Sequence, residues 1–360
     1  MFYVLIKSKM KKFLTILILI PALCFGQVQY PAGKVNIERI TSQYLQNKVG
    51  ENPTRRVSVY LPPDYDTTTA KYPVIYYLDG FDWNDSLDFN MIYLNKLFDK
   101  AISTGKIRPV IIVVPNECTS VGGSFYTNSP ITGMWSDFTA KELVTYIDKN
   151  YRTISNKESR GLCGVSMGGY GAIKIGMMYP DVFSTVYALS PAILDLANEF
   201  GSTADCYKKA SQLKTLNDLK NEPLFETHVV VALGRAFSPN LDKPPFYTEL
   251  PFNYSGDKLI INKEILDLWN KNLPIQMIDR NIDNLRKLKA LKLDWGRNDE
   301  FSHIPITCKI FSQKLEKLGI NHYAEEYIGA HTNKIVTDDG RFLNEVLPFF
   351  DTYLIFEMTN

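Results

Sequence analysis

Gly161-Leu162-Cys163-Gly164-Val165-Ser166-Met167-Gly168-Gly169-Tyr170-Gly171-Ala172-Ile173-Lys174-Ile175-Gly176-Met177-Met178 is the stretch whose reading decides the fold. The short apolar run Gly161-Leu162-Cys163 reads as a buried strand, and the run from Gly169 onward reads as a helix. Between them a sharp turn puts a serine at the apex. Such an elbow strains the backbone of the apex residue and needs small residues two positions to either side, because a Cβ there would collide with the neighbouring strand or helix. Gly164 and Gly168 give that clearance. The turn lifts the Ser166 hydroxyl out of the sheet and aims the Met167 N–H at the place where an oxyanion would form. That arrangement belongs to acyl transfer.

A serine after a glycine-rich turn can also be a plain helix N-cap. The rest of the chain argues against this, because a serine hydrolase built this way needs an acid and then a histidine further on, each just past a strand. Four histidines are available: His228, His303, His322 and His331. His331 follows the strand-like His322-Tyr323-Ala324-Glu325-Glu326-Tyr327-Ile328 and the turn Gly329-Ala330, where the general base belongs. His322 lies at the far end of that strand and His228 heads the apolar run Val229-Val230-Val231-Ala232-Leu233, so both read as structural. His303 is the rival, close in sequence to the acid. For the acid, Leu291-Lys292-Leu293-Asp294-Trp295-Gly296 reads as a buried strand running into Arg297-Asn298-Asp299-Glu300-Phe301. Asp294 is still at the strand and suits hydrogen bonding to turn amides. Glu300 suits the start of the next helix. Asp299, on the loop past the glycine, is placed to receive the imidazole N–H.

The other apolar, β-branched runs alternate with helical patterns, the signature of a mostly parallel sheet covered on both faces. Strands are expected at Val57–Leu61, Val74–Leu78, Val110–Val114 and Thr185–Leu189, and helices at about 138–150, 304–318 and 346–355. Between about 194 and 288 the rhythm breaks into prolines, aromatics and helical fragments at 263–269 and 281–288. This reads as an insertion capping the site, with Phe246, Tyr247, Phe252, Tyr254 and Trp269 as candidate pocket aromatics. A surface decoration unrelated to substrate is the alternative.

With Ser166, Asp299 and His331 placed, the chain resembles the putative-esterase family of α/β-hydrolases, which includes feruloyl and acetylxylan esterases, S-formylglutathione hydrolase, siderophore esterases and mycolyltransferases. The resemblance rests on Arg56-Val57-Ser58-Val59-Tyr60-Leu61-Pro62-Pro63-Asp64-Tyr65-Asp66, on Tyr72-Pro73-Val74-Ile75-Tyr76-Tyr77-Leu78-Asp79-Gly80, on the elbow and on Gly329-Ala330-His331. It implies an α/β-hydrolase fold, an acyl-enzyme on Ser166 with His331 as base and Asp299 as its partner, no cofactor, and a second oxyanion amide at Phe81. Relatives often carry His-Gly where this chain has Asp79-Gly80. Acyl transfer to a sugar or lipid acceptor, and carbohydrate binding without catalysis, are the competing functions.

Lys7, Lys9, Lys11 and Lys12 precede the apolar run Phe13–Ile20, Pro21 and the small residue Gly26, the pattern of a secretory leader too short to span a bilayer permanently. Residues 1–26 are therefore expected to be a signal peptide, cleaved near Gly26, and the protein to be exported. The leader holds no acidic residue, so 36 of the 40 basic residues face all 39 acidic ones beyond it. That balance, with no basic stripe, argues against nucleic acid as a partner. An ester of a small molecule or a carbohydrate is the expected substrate. Cys118, Cys163, Cys206 and Cys308 could pair in three ways in an oxidising compartment, although Cys163, inside the elbow strand, suits a buried thiol. No cysteine or histidine spacing suggests a zinc site.

Overall fold

Eight segments rich in Val, Ile, Leu and Tyr pair into one sheet in the computed structural model, which describes residues 29–256 and 258–357. They are β1 (Lys34–Thr41), β2 (Thr54–Leu61), β3 (Val74–Leu78), β4 (Ile111–Pro115), β5 (Arg160–Val165), β6 (Thr185–Leu189), β7 (Ala290–Gly296) and β8 (Tyr323–Tyr327). Their spatial order is β1-β2-β4-β3-β5-β6-β7-β8. The pairings β1·β2 and β2·β4 are antiparallel and every later one is parallel. The inner parallel strands β3 to β6 are buried on both faces, which is why they read as largely apolar runs rather than alternating ones, whereas β8, at the sheet edge, is exposed or half-buried along most of its length. Leu162 of β5 joins one core layer, and Cys163 and Val165 join the other.

This is the α/β-hydrolase architecture expected from the sequence. The expected strands and the helices 303–317 and 347–353 appear within a residue or two of their predicted bounds, except that β2 begins three residues earlier, at Thr54. The helix expected over 138–150 is regular only at Val144–Asn150 and is preceded by a wide π-type turn over Phe138–Leu143. The strand β1 gave no signal in the sequence, because it lies at the sheet edge with most of its residues partly exposed. The expected leader, residues 1–26, falls outside the described residues. Among the described residues no helix is long and apolar enough to cross a membrane.

The insertion folds into helices α1 (Asp205–Gln212), α2 (Leu216–Lys220), α3 (Phe225–Phe237) and α4 (Lys263–Asn270), with shorter helical turns after them and a small hairpin, Phe252–Ser255 against Lys258–Ile261. Trp269 is its centre: wholly buried, 5.6 Å from the Phe237 ring, its indole N–H donating to Ser238 Oγ at 2.7 Å. Tyr207 and Phe252 pack edge to face beside it at 4.9 Å. A buried Arg235–Glu51 ion pair at 2.9 Å clamps α3 to the segment just before β2, and Arg235 also donates to Ser120 Oγ.

Candidate active site

Ser166 sits at φ 57°, ψ −116°, a conformation few non-glycine residues adopt and one that costs about 1–3 kcal/mol. The surroundings hold it there. Its N–H donates to the Leu189 carbonyl of β6 at 3.0 Å, and its own carbonyl accepts from Tyr170 and from Ala192, each at 3.0 Å. Gly164 and Gly168 are the required neighbours: a Cβ at Gly168 would overlap the Leu78 carbonyl oxygen, and one at Gly164 would overlap the backbone of Gly168. The helix that follows spans Met167–Met178. Met167 is its first residue, so its N–H has no carbonyl one turn back to bond. Across the cleft, Gly80 lies two residues past β3, where an added Cβ would come to 3.9 Å from the Ser166 Cβ, with Phe81 next in the chain.

The loops after β7 and β8 complete the site. His331 Nδ1 lies 2.8 Å from Asp299 Oδ2, and both side chains are nearly inaccessible to solvent. With Nδ1 engaged, Nε2 is the nitrogen left for chemistry. Asp299 also accepts the Phe301 N–H at 2.9 Å, fixing the loop, while Glu300 accepts the His331 backbone N–H at 3.0 Å. Glu300 thus anchors the histidine loop rather than a helix start. Asp294 is a different kind of carboxylate. It is wholly buried and bound by Tyr187 at 2.7 Å and Arg341 at 2.9 Å, not by turn amides; burial pushes it up to about 6 against the pull of Arg341.

His303 is occupied on both nitrogens: Nδ1 meets Glu199 at 2.7 Å, and Nε2 accepts the Ile193 N–H at 3.3 Å. Burial pushes the Glu199 carboxyl up, but hydrogen bonds from His303 and Ser302 outweigh it and hold it down at about 2. His303 therefore ties the start of the insertion to the loop after β7. His322 bonds Ser312 and the Ile320 carbonyl, and His228 bonds the Glu222 carbonyl.

Ser166 and His331 open onto one cavity of about 440 Å³. An aromatic chain forms its wall, with Phe81 5.5 Å from Phe225, Phe225 5.5 Å from Phe301, and Phe301 edge to face with His331 at 4.9 Å. Trp83, Ile92, Ile335 and Val336 extend the apolar surface. Phe225, at the start of α3, is the insertion's contribution to this wall. A narrower slot on the other side of Ser166 is lined by Met167, His303, Phe200 and Val229. The expected pocket aromatics are placed elsewhere: Trp269 and Phe252 build the insertion's own core, and Phe246 faces a separate surface cavity. Among the described residues the four cysteines, Cys118, Cys163, Cys206 and Cys308, are free thiols, and all but Cys118 are buried. Among the described residues no group of three or more His, Cys, Asp or Glu is arranged to hold a metal ion.

A strained serine between strand and helix, with a histidine–carboxylate pair delivered by the last two strands, defines an α/β-hydrolase of the serine class. The chain belongs to the family described as putative esterases, whose model matches residues 50–335. Among curated relatives, an esterase of Mycobacterium tuberculosis is 30% identical over 165 residues, 44% of this chain and 33% of that protein. An endo-1,4-beta-xylanase/feruloyl esterase of Xylanibacter ruminicola is 29% identical over 160 residues, 41% of this chain and 20% of that protein. The matches thus span a third or less of these relatives. Among solved structures, a ferulic acid esterase superposes with a TM-score of 0.57 at 21% identity, covering 91% of this chain and 100% of its own. An S-formylglutathione hydrolase from Agrobacterium tumefaciens gives 0.57 at 14% identity, covering 92% and 99%. At these identities the superpositions speak to the fold.

Proposed function

We propose that this chain hydrolyses carboxylic esters through an acyl-enzyme on Ser166. The observation that carries the reading is the 2.8 Å His331–Asp299 bond, with His331 and the strained Ser166 facing one cavity. In the first half-reaction His331 Nε2 takes the Ser166 proton as the hydroxyl attacks the carbonyl carbon. Asp299 keeps the imidazole in the tautomer with Nδ1 protonated and stabilises the imidazolium. The N–H groups of Met167 and Phe81 receive the oxyanion, and His331 returns the proton to the leaving alcohol. Water activated by His331 then releases the acid. No step calls for a cofactor.

The substrate we propose is an acyl ester of a carbohydrate, of acetyl or feruloyl type, met outside the cytoplasm after the leader is removed. Relatives named feruloyl esterase, the aromatic wall from Phe81 to Phe301 and the leader-like sequence over residues 1–26 support this. The insertion acts as a cap whose Phe225 touches the acyl group. The test is turnover of p-nitrophenyl esters of increasing acyl size and of methyl ferulate by the chain from Gln27, beside Ser166→Ala. Turnover that survives in the variant would refute the assignment. Transfer to an added sugar in preference to water would move the reading to an acyltransferase.

A further inference from the structure

Beneath the loop that carries Phe81 lies a set of buried carboxyl groups that the mechanism above does not use. Asp79 lies between the end of β3 and Gly80 and is 1% exposed; Asp85 and Asp88, on the helix Asp85–Asn90, are wholly buried. Asp85 is compensated, accepting from Arg56 Nε at 2.7 Å and from Ser58 Oγ at 2.6 Å. Asp79 and Asp88 have no cation. Asp88 accepts the Trp83 indole N–H at 2.9 Å through one oxygen, while its other oxygen and both oxygens of Asp79 find no N–H or O–H donor. The two carboxyls nevertheless lie within hydrogen-bonding reach of each other. Two buried carboxylates cannot both ionise at that range, and an unpaired buried acceptor costs about 1–3 kcal/mol. One proton on the pair removes the charge repulsion and turns a carboxyl into a donor for its facing neighbour.

We propose that Asp79 keeps its proton and donates it to Asp88, and that this neutral-acid link makes Asp79 a positioning residue for the Phe81 amide. The linkage is short. Asp79 precedes Gly80-Phe81, Asp88 grips Trp83, Trp83 N–H bonds the Gly80 carbonyl at 3.3 Å, and the Cys118 thiol bonds the Trp83 carbonyl at 2.9 Å. The loop is thus held at both ends of its turn. The other titratable or charged groups facing the pair are Asp85 with its partner Arg56, the Cys118 thiol, and the phenols of Tyr77 and Tyr126. Burial first, then the neighbouring Asp88, pushes the Asp79 carboxyl well above the usual carboxylate range.

The catalytic half of this proposal rests on the esterase reading, and the proton half does not. A carboxyl that stays protonated in the folded chain but ionises near pH 4 when unfolded makes folding take up a proton. Its contribution to stability is greatest below about pH 4 and falls as pH rises towards the folded-state pKa. Asp79→Asn cannot ionise and keeps an N–H donor for Asp88. The Tm of the natural chain should therefore fall relative to that of Asp79→Asn as pH is raised from about 4 to 8; parallel curves would overturn the shared proton. For positioning, kcat per serine titrated with a fluorophosphonate should drop about tenfold or more in Asp79→Ala with KM within about twofold, since misplacement near 1 Å can cost ~10²-fold. Asp79→Asn should recover most of that loss. An Asp79→Ala enzyme with unchanged kcat, or an Asn variant as impaired as the Ala variant, would overturn the positioning role. A natural chain without any ester turnover would sink the esterase reading instead, with the Tm comparison still deciding the proton.

Discussion

The corner formed by the carboxyl ends of β3, β5, β7 and β8 and the insertion over residues 194–288 meet at the same cavity but are built on different rules. In the corner each group is fixed by the chain within a few residues of a strand end: Ser166 one residue past β5, Gly80 two past β3, Asp299 three past β7 and His331 four past β8. The insertion has no sheet to register against. It builds a core of its own around Trp269, reaches the cavity through Phe225, and reaches the narrower slot beside Ser166 through Phe200 and Val229. On the reading proposed above, chemistry belongs to the corner and choice of acyl group to the insertion. Fixed strand ends hold reacting atoms to the tolerance catalysis needs, whereas a separately packed layer can vary without moving them.

The sharpest way to break this division is at the corner. Ser166→Ala should lower kcat/KM for p-nitrophenyl acetate by ~10⁴-fold or more, read from initial rates with Tm as a check on folding. Asp299→Asn should cost ~10³–10⁴-fold by spoiling the imidazole tautomer. Asp294→Asn, five residues earlier, should lower Tm while leaving turnover per active serine within a few fold, because its partners are Tyr187 and Arg341 rather than His331. Equal catalytic losses in the two variants would erase the distinction between these carboxylates.

At the joint between the regions, Glu51→Gln leaves the buried Arg235 without its counter-charge. Removing one partner of a buried pair costs about 3–5 kcal/mol, measurable by urea unfolding, and this loss should exceed that of any exposed pair such as Lys34–Asp66. The smallest effect is expected inside the insertion. Phe225→Ala should lower kcat/KM for methyl ferulate about tenfold, within the 1–3 kcal/mol range of one apolar contact, while acetate ester turnover changes little. A uniform loss on both substrates would mean that Phe225 supports the corner instead.

Much of the corner was legible in the sequence because its signals are local. Glycines at fixed offsets, apolar runs of strand length and turns after them are enough to place Ser166, Asp299 and His331 on strand exits. What stayed hidden depends on tertiary contact. Glu300 looks like a helix-start charge until its bond to the His331 N–H is seen, and Glu199 has no motif linking it to His303, about a hundred residues away. The insertion misled for a related reason. Aromatic content marks burial but not which side of a layer is buried, so from the sequence Trp269 and Phe252 look like pocket residues although they form the layer's interior. Phe225, 39% exposed and followed by Glu226, Thr227 and His228, carries no comparable apolar signal.

The most direct test of the central claim is stoichiometric modification by a fluorophosphonate followed by peptide mapping, with residual ester turnover measured on the same samples. The account predicts a single adduct on Ser166, formed in step with loss of turnover and absent in Ser166→Ala. An adduct on another residue, or turnover that persists after Ser166 is fully modified, would contradict it.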